Sequence, residues 1–433
     1  MENNMIYRKL PSTGDELSIL GFGCMRLPRI GGLIDETRAE RLILSAIDRG
    51  INYFDAAYLY FGSESALGKI LHSSGKRNNV KISTKLPAML VRKSQDIENY
   101  FNKQIERLKS EYIDYYLLHN LSTYADFQRL REMGFDDFIS RERERGRIRG
   151  AGFSFHGNLN EFKRIIDSYP WAMCIIQFNY LDERFQAGID GLNYASERGV
   201  GVVCMEPLRG GTLGNLPGDA RKLFDDCMRN AGEKRAEGTE AVAPPSGSPA
   251  ELAFRWVWSH SNVTSALSGM NMPKHVEENC RSVYALNLPP AAPTDTHASA
   301  DVILGESDKK AVAAIKAYYS KNLRIPCTSC AYCLPCPVGV DIPTCFSWYN
   351  IRGMKGGVGP KMQYAVATEG AINGSPSRAS LCVSCGECEA KCPQKIKIRD
   401  FLKETAREME SGVLLAPIKF GLKFIGRKSA KRE

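Results

Sequence analysis

INYFDAAYLY, residues 51–60, carries the reading that decides the fold. Its first part, INYFDAA, is a short apolar run that closes on an acid, Asp55. Its second part leaves the run and brings Tyr60 into the loop beyond it. An apolar strand delivering polar groups at its C-terminal end is how parallel α/β sheets present chemistry. Two later runs repeat the arrangement: VKISTKL (80–86) ends with Lys85 near its tip, and IDYYLLHN (113–120) with His119. Alone, a Tyr packs, and an Asp or Lys at a strand end forms an ion pair. Four polar groups at the ends of three consecutive apolar strands outweigh that bland reading.

Working outward, five further apolar runs fall into step: LSILGFG (17–23), IRGAGFSF (148–155), MCIIQFNY (173–180), GVVCMEPL (201–208) and VTSALSGM (263–270). Helix-like stretches separate the eight runs, among them TRAERLILSAIDRG, ESALGKIL, SQDIENYFNKQIERLK, DFQRLREMGFDDFISRERERG, NLNEFKRIID and SPAELAFRWVWSH. Ile97, Tyr100, Phe101, Ile105 and Leu108 recur at spacings of three and four, as an amphipathic helix requires. Gly50, Gly146 and Gly199 suit helix C-termini. Strand then helix, eight times, predicts an α/β fold of the (β/α)8 barrel type. The polar stretch NAGEKRAEGTEAVAPPSGSP (230–249) follows the seventh strand. It reads equally as a lid or specificity loop and as a functionless insertion.

These segments support a resemblance. FDAAYLY, STKL and LLHN are similar to the signature segments of the aldo-keto reductase superfamily, in order and spacing, over roughly residues 6 to 288. The resemblance implies an NAD(P)H-linked oxidoreductase acting on a small aldehyde or ketone. It makes Tyr60 the general acid, with Lys85 lowering its pKa, Asp55 holding Lys85, and His119 orienting the carbonyl oxygen and donating or relaying a proton. For the nicotinamide it implies Gly23, Cys24, Met25, Ser154, Gln177 and Met205, and for the phosphate and adenine Gly269, Met270, His275, Glu278 and Asn279. The family pattern is not met throughout. Phe155 stands where an Asn is usual, with His156 beside it, and Met205 where an aromatic ring is usual. His275 offers a 2′-phosphate less than a guanidinium would, so NADP and NAD both stay open.

Fourteen cysteines occur in 433 residues. No signal peptide opens the chain and no apolar run is long enough for a membrane-spanning helix, so a cytoplasmic setting with reduced thiols is expected. Eight of the cysteines form two runs, each followed by proline: Cys327, Cys330, Cys333, Cys336 and Cys382, Cys385, Cys388, Cys392. The second has the spacing of bacterial ferredoxins that hold 4Fe–4S clusters; the first is one residue shorter before its last cysteine. Zinc sites use CxxC pairs farther apart or include histidine, so two 4Fe–4S clusters are the expected metal centres. In two-cluster ferredoxins the fourth cysteine of each run serves the other cluster. That pattern groups Cys327, Cys330, Cys333 and Cys392, and separately Cys382, Cys385, Cys388 and Cys336. Pairing within each run is the alternative. Cys345 lies outside both.

The chain thus divides into a barrel (1–288), a linker (289–310) that takes in most of NLPPAAPTDTHASAD (287–301), a small mainly helical ferredoxin-like iron–sulfur domain (311–411) and a basic tail (412–433). The tail places Lys419, Lys423, Arg427, Lys428, Lys431 and Arg432 among Ile418, Phe420, Leu422, Phe424 and Ile425. It reads as a frayed solvated end, or as peripheral contact with anionic lipid or an acidic partner. Net charge is +9 without a nucleic-acid-binding module, so no nucleic-acid role is expected. Hydride moves two electrons together, while a 4Fe–4S cluster passes one. The clusters therefore exchange electrons with a separate redox partner, sense oxidation or support the fold. An electron-transfer or redox-sensing adaptor with a weak barrel is the second reading of the whole chain.

Overall fold

The structure is a computed structural model that describes residues 5–31, 33–216, 218–236, 246–286, 303–322, 324, 325, 327, 333–370, 375–392 and 396–411. The chain divides into two compact units, Met1–Ile315 and Lys316–Glu433. In the first, eight strands close a parallel barrel in chain order: β1 (Leu20–Gly23), β2 (Tyr53–Asp55), β3 (Lys81–Leu86), β4 (Ile113–Leu121), β5 (Ile148–Phe155), β6 (Met173–Gln177), β7 (Gly201–Met205) and β8 (Val263–Ser268). Each lies within an apolar run picked out in the sequence. Ile113–Leu118 is buried at every position. That is why it reads as a continuous apolar run, the mark of a strand covered on both faces.

A short hairpin (Tyr7–Lys9 with Glu16–Ser18) covers the N-terminal end of the barrel. Its Leu10 and Leu17 pack with Tyr53, Tyr115, Leu117, Met173 and Val203. Leu10 needs Gly201 beneath it: a Cβ there would meet the leucine Cδ2 at 2.1 Å. The helices follow the strands, with two departures from the sequence reading. The stretch 126–146 is two helices, Tyr124–Glu132 and Phe135–Glu144. Gly134 between them takes φ +85, a left-handed conformation that ends the first helix. The segment read as an insertion is helical through Ala236, in a helix Gly218–Ala236, with Ala220 and Phe224 buried one turn apart. Residues 237–245 lie outside the described residues, as do most of the predicted linker and the whole basic tail. From Glu306 the chain is again helical, and buried Asp308 reaches Arg255 on the last-but-one barrel helix at 3.5 Å.

Four helices of the second unit, Ile342–Lys355, Gly359–Thr368, Glu387–Ala390 and Ile398–Met409, enclose a small core. Ile325, Val340, Phe346, Tyr349, Tyr364, Ile398, Leu402 and Met409 form it, with Cys388 buried among them. Tyr364 ties its layers together, donating to Glu410 Oε1 at 2.7 Å and accepting from the Ala379 amide at 2.9 Å. Among the described residues, no helix of the chain is long and apolar enough to cross a membrane.

Candidate active site and cluster cavity

Barrel register brings the strand-end groups together. Gly23 lies opposite Asp55, Asp55 opposite Ser83, and Lys85 opposite Leu117. Lys85 Nζ donates to both oxygens of Asp55, at 2.6 and 2.7 Å, and to the Ala56 carbonyl at 2.8 Å. The ammonium is thus held in a site where Lys85 and Asp55 are 1% and 3% exposed. Burial alone would depress the lysine pKa; the Asp55 charge and Tyr60 outweigh it, and the pKa is raised. Asp55 Oδ1 also accepts from Ser83 Oγ at 2.7 Å.

Lys85 Nζ stands 4.8 Å from the centroid of the Tyr60 ring. Burial pushes the Tyr60 phenol above its ordinary pKa, and the Lys85 ammonium pulls it back without overcoming burial. The lysine acts in the direction expected from sequence, but desolvation is the larger effect. His119 meets Tyr60 edge to face, centroids 5.6 Å apart. The β4–β5 ladder shifts register between Leu118 and Leu121, and Asn120 there takes φ +62. This bulge turns His119 out of the strand pattern and toward the mouth. Burial and the Lys85 charge lower the His119 pKa to about 3, and its Nδ1 is buried with no hydrogen-bond partner.

The residues named for a nicotinamide lie on the same rim. Ser154 Oγ accepts from the Asn120 amide at 2.8 Å, which leaves its own hydroxyl hydrogen to offer. Gln177 Nε2 donates to Asp182 Oδ2 at 3.0 Å, which leaves Oε1 to offer. Met205 is the register partner of Gln177. Phe155, at the usual Asn position, is buried against Phe153 and Phe162; beside it, His156 is exposed and meets Gln186. Gly23 leads into a turn in which Cys24 is buried and Met25 is exposed. Arg26, next in the chain, packs over Gly269 and pairs with Glu206 at 3.5 Å. Beyond β8 the Met270 side chain is buried, and Asn279 donates to Ser268 Oγ at 2.9 Å. His275 stands in the first turn of helix Pro273–Tyr284, where Lys274 and Glu278 pair at 3.4 Å.

In the second unit a small cavity is lined by Cys333 and Cys336 of the first cysteine run and by Cys382, Cys385 and Cys388 of the second. Ile342, Val383 and Leu402 complete much of its wall. The Ser384 amide already donates to Cys382 Sγ at 3.4 Å. Cys327 and Cys392 pack on the same core; Cys330 lies outside the described residues. Cys345, outside both runs, is buried against Tyr364 and Ser377.

The sequence pattern of the Aldo/keto reductase family matches residues 19–292. The chain belongs to that family. A 4Fe-4S dicluster domain follows at 326–396, so this oxidoreductase joins an aldo-keto reductase barrel to an iron–sulfur domain. The L-galactose dehydrogenase of Arabidopsis thaliana is 26% identical over 303 residues, 64% of this chain and 88% of that protein. A protein of Oryza sativa subsp. japonica named "Probable voltage-gated potassium channel subunit beta" is 24% identical over 323 residues, 66% of this chain and 93% of its own. Among solved structures, the holo form of the aldo-keto reductase AKR11C1 from Bacillus halodurans superposes with a TM-score of 0.54. It is 24% identical, covering 72% of this chain and 96% of that one.

Around the strand-end groups of this aldo-keto reductase stand partners that sequence reasoning passed over. Ser83, Tyr53, Asn120, Asp182 and Arg209 all bond to residues it had named or to each other. The signal for Ser83 was present. In ISTKL, Ser83 and Lys85 are two apart and so share a face, which puts the serine beneath Asp55. For Asp182 there was none, since it lies in a loop five residues past Gln177.

Proposed function

We propose that the barrel reduces an aldehyde or ketone with NADH or NADPH, with Tyr60 as proton donor. The observation that carries this is the Lys85 ammonium, gripped by both Asp55 oxygens and standing 4.8 Å from the Tyr60 ring. The nicotinamide, when bound, supplies the hydride to the carbonyl carbon. Tyr60 gives its phenolic proton to the carbonyl oxygen, and the fixed Lys85 charge stabilises the phenolate left behind. His119, neutral at ordinary pH because of its lowered pKa, orients that oxygen by a hydrogen bond and is not a charged acid. Its buried, unpartnered Nδ1 makes the group ready for a ligand.

The donor set fits a primary carboxamide. Ser154 offers a hydroxyl hydrogen to the carboxamide oxygen, and Gln177 offers Oε1 to its NH₂. Gly23, Cys24, Met25 and Met205 border the ring; Gly269, Met270, His275, Glu278 and Asn279 serve the phosphate and adenine. Lys274 is partly neutralised by Glu278, so both nicotinamides remain in the proposal. For the clusters, we carry over the crossed ligation of two-cluster ferredoxins, with Cys336 joining Cys382, Cys385 and Cys388; the cavity that both runs line, Cys333 and Cys336 from the first, brings the two runs together as that pattern needs. Cys327, Cys330, Cys333 and Cys392 then hold the other cluster. The clusters supply one-electron chemistry, which we assign to exchange with a separate redox carrier in the cytoplasm.

Anaerobic purification with iron and sulfide analysis, followed by a carbonyl screen with both nicotinamides, tests the assignment. Tyr60→Phe should lose reduction and keep nicotinamide binding. Wild-type turnover in that variant would remove Tyr60 from the role.

A further inference from the structure

The amide of Gln177 has two faces, an acceptor and a donor, and either can be turned to a ligand. In this chain the choice is made by Asp182. One carboxylate oxygen, Oδ2, accepts from Gln177 Nε2 at 3.0 Å, from Asn179 Nδ2 at 3.1 Å and from Arg209 Nε at 2.9 Å. Asn179 fixes the loop in turn. Its Oδ1 accepts from the Leu181 and Asp182 amides, both at 3.0 Å, and its Nδ2 also reaches the Glu206 carbonyl at 3.1 Å. Asn179 is fully buried, and the Arg209 and Asp182 side chains are 15% and 10% exposed, so the assembly is shielded from water. It joins the tip of β6 to the loop after β7, on the side where Gln177 and Met205 are register partners.

A carboxylate accepts and never donates while ionised, and Arg209 keeps its charge compensated. Flipping the Gln177 amide would set its Oε1 against Asp182 Oδ2, acceptor against acceptor. The donor end of Gln177 is therefore committed inward and the acceptor end is presented outward. Ser154 brings a donor to the same rim: its oxygen accepts from the Asn120 amide and its hydroxyl hydrogen is left to offer.

We propose that Asp182 is a positioning residue that locks Gln177 as an acceptor, so that the site selects a nicotinamide ring bearing an NH₂ donor over one that bears only a carbonyl. The inference rests on the reading of Gln177 as a carboxamide contact. Its logic is that a polar site tuned to one hydrogen rejects the analogue lacking it, because its own buried acceptor is then left unpaired.

The probe is the 3-acetylpyridine analogue of the reduced dinucleotide, in which a methyl replaces the carboxamide NH₂ and the carbonyl is kept. Dissociation constants for it and for the natural nicotinamide are measured by protein fluorescence on the intact, anaerobically purified chain. The ratio of the two constants is internal to each variant and does not depend on the fraction folded. Wild type should favour the natural form by roughly 5- to 10-fold, the worth of one such bond. In Asp182→Leu and Asp182→Ser the ratio should fall toward one, because the carboxylate that holds the glutamine is gone and the glutamine is free to turn. In Asp182→Glu it should be retained in part. Ser154→Ala should weaken both ligands alike, because both carry the carbonyl. Two results overturn the proposal: a wild-type ratio near one, or Asp182→Leu weakening both ligands equally with the ratio unchanged. Failure of wild type to bind any nicotinamide would overturn the functional reading itself.

Discussion

Replacing Lys85 by Met separates what the lysine does for the fold from what it does for chemistry. The methionine keeps the length and apolar stem of the side chain but removes the ammonium. Three hydrogen bonds go with it, two to Asp55 and one to the Ala56 carbonyl. Asp55, 3% exposed, then keeps only the Ser83 hydroxyl. Breaking a buried ion pair by removing one member costs about 3–5 kcal/mol, because the survivor is left charged and dry. At roughly 2–4 °C per kcal/mol, the melting point should fall by on the order of 10 °C. Adding Asp55→Asn removes the stranded charge, and the new amide oxygen still accepts from Ser83. Most of the loss should return, while carbonyl reduction stays absent, since the Tyr60 phenolate has no counter-charge in either variant. Tryptophan fluorescence follows the barrel, which holds Trp171, Trp256 and Trp258 of the chain's four tryptophans. A single variant as stable as wild type would refute the buried-pair reasoning. A double variant that regains turnover would refute the role of Lys85 in activating Tyr60.

Tyr60→Phe should lower carbonyl reduction by about 10²–10⁴, the worth of a positioned acid, with nicotinamide affinity by fluorescence unchanged. Because burial holds Tyr60 above its ordinary 10.0, the wild-type rate should hold through mildly alkaline pH; a tyrosine limb well below 10 would contradict the buried phenol. His119 titrates at about 3 in the folded chain and near 6.5 when unfolded. The unfolded chain therefore binds the extra proton first, and the histidine withdraws stability as pH falls from about 6.5 toward 3. Denaturant unfolding of wild type against His119→Asn should show a difference that grows across that window, and a flat difference would sink the assignment. Cys336→Ser should remove the same cluster signal in paramagnetic resonance as Cys385→Ser and leave the one lost in Cys333→Ser, with iron falling from about eight toward four. Loss of the same signal in Cys336→Ser and Cys333→Ser would instead favour ligation within each run.

The barrel was legible because a strand covered on both faces must be apolar almost throughout, and eight such runs stand apart from amphipathic neighbours. Helix Gly218–Ala236 was less so. Its buried face is carried by Ala220 and Phe224 amid charged residues, too thin a stripe to register beside the Gly, Pro and Ala that follow. The hydroxyls of ISTKL mark the limit more sharply. Ser83 turns inward to Asp55, while Thr84 turns outward to Glu64, which also takes Gln104 and Arg107. Alternation along a strand says that adjacent side chains part company. It does not say what each will meet, because the partners lie 28 and 20 residues away in sequence. For the cysteines, spacing identified the chemistry and left the pairing open; the fold brings both Cys333 and Cys336 to the second run.

The same reasoning explains why these polar side chains act in one sense only. Lys85 is held by Asp55 and Ala56, so what it presents to Tyr60 is a fixed positive charge. Ser83 Oγ donates to Asp55, and so its bond at 2.9 Å with Tyr53 must have the tyrosine as donor. That chain of hydroxyls runs toward the carboxylate and ends in the apolar barrel floor, where Tyr53 packs with Leu10, Leu17 and Leu117. A dead end of this kind cannot reprotonate Tyr60 from solvent. It can only hold the Asp55 side chain in place, with each bond polarised by the next. Asp182 does the same for Gln177 from the loop above. The polarity of the candidate site is thus set before a ligand arrives, by neighbours that touch neither substrate nor cofactor. Asp182→Leu should therefore alter which ring the protein prefers, whereas Ser83→Ala should slow the chemical step and leave that preference unchanged.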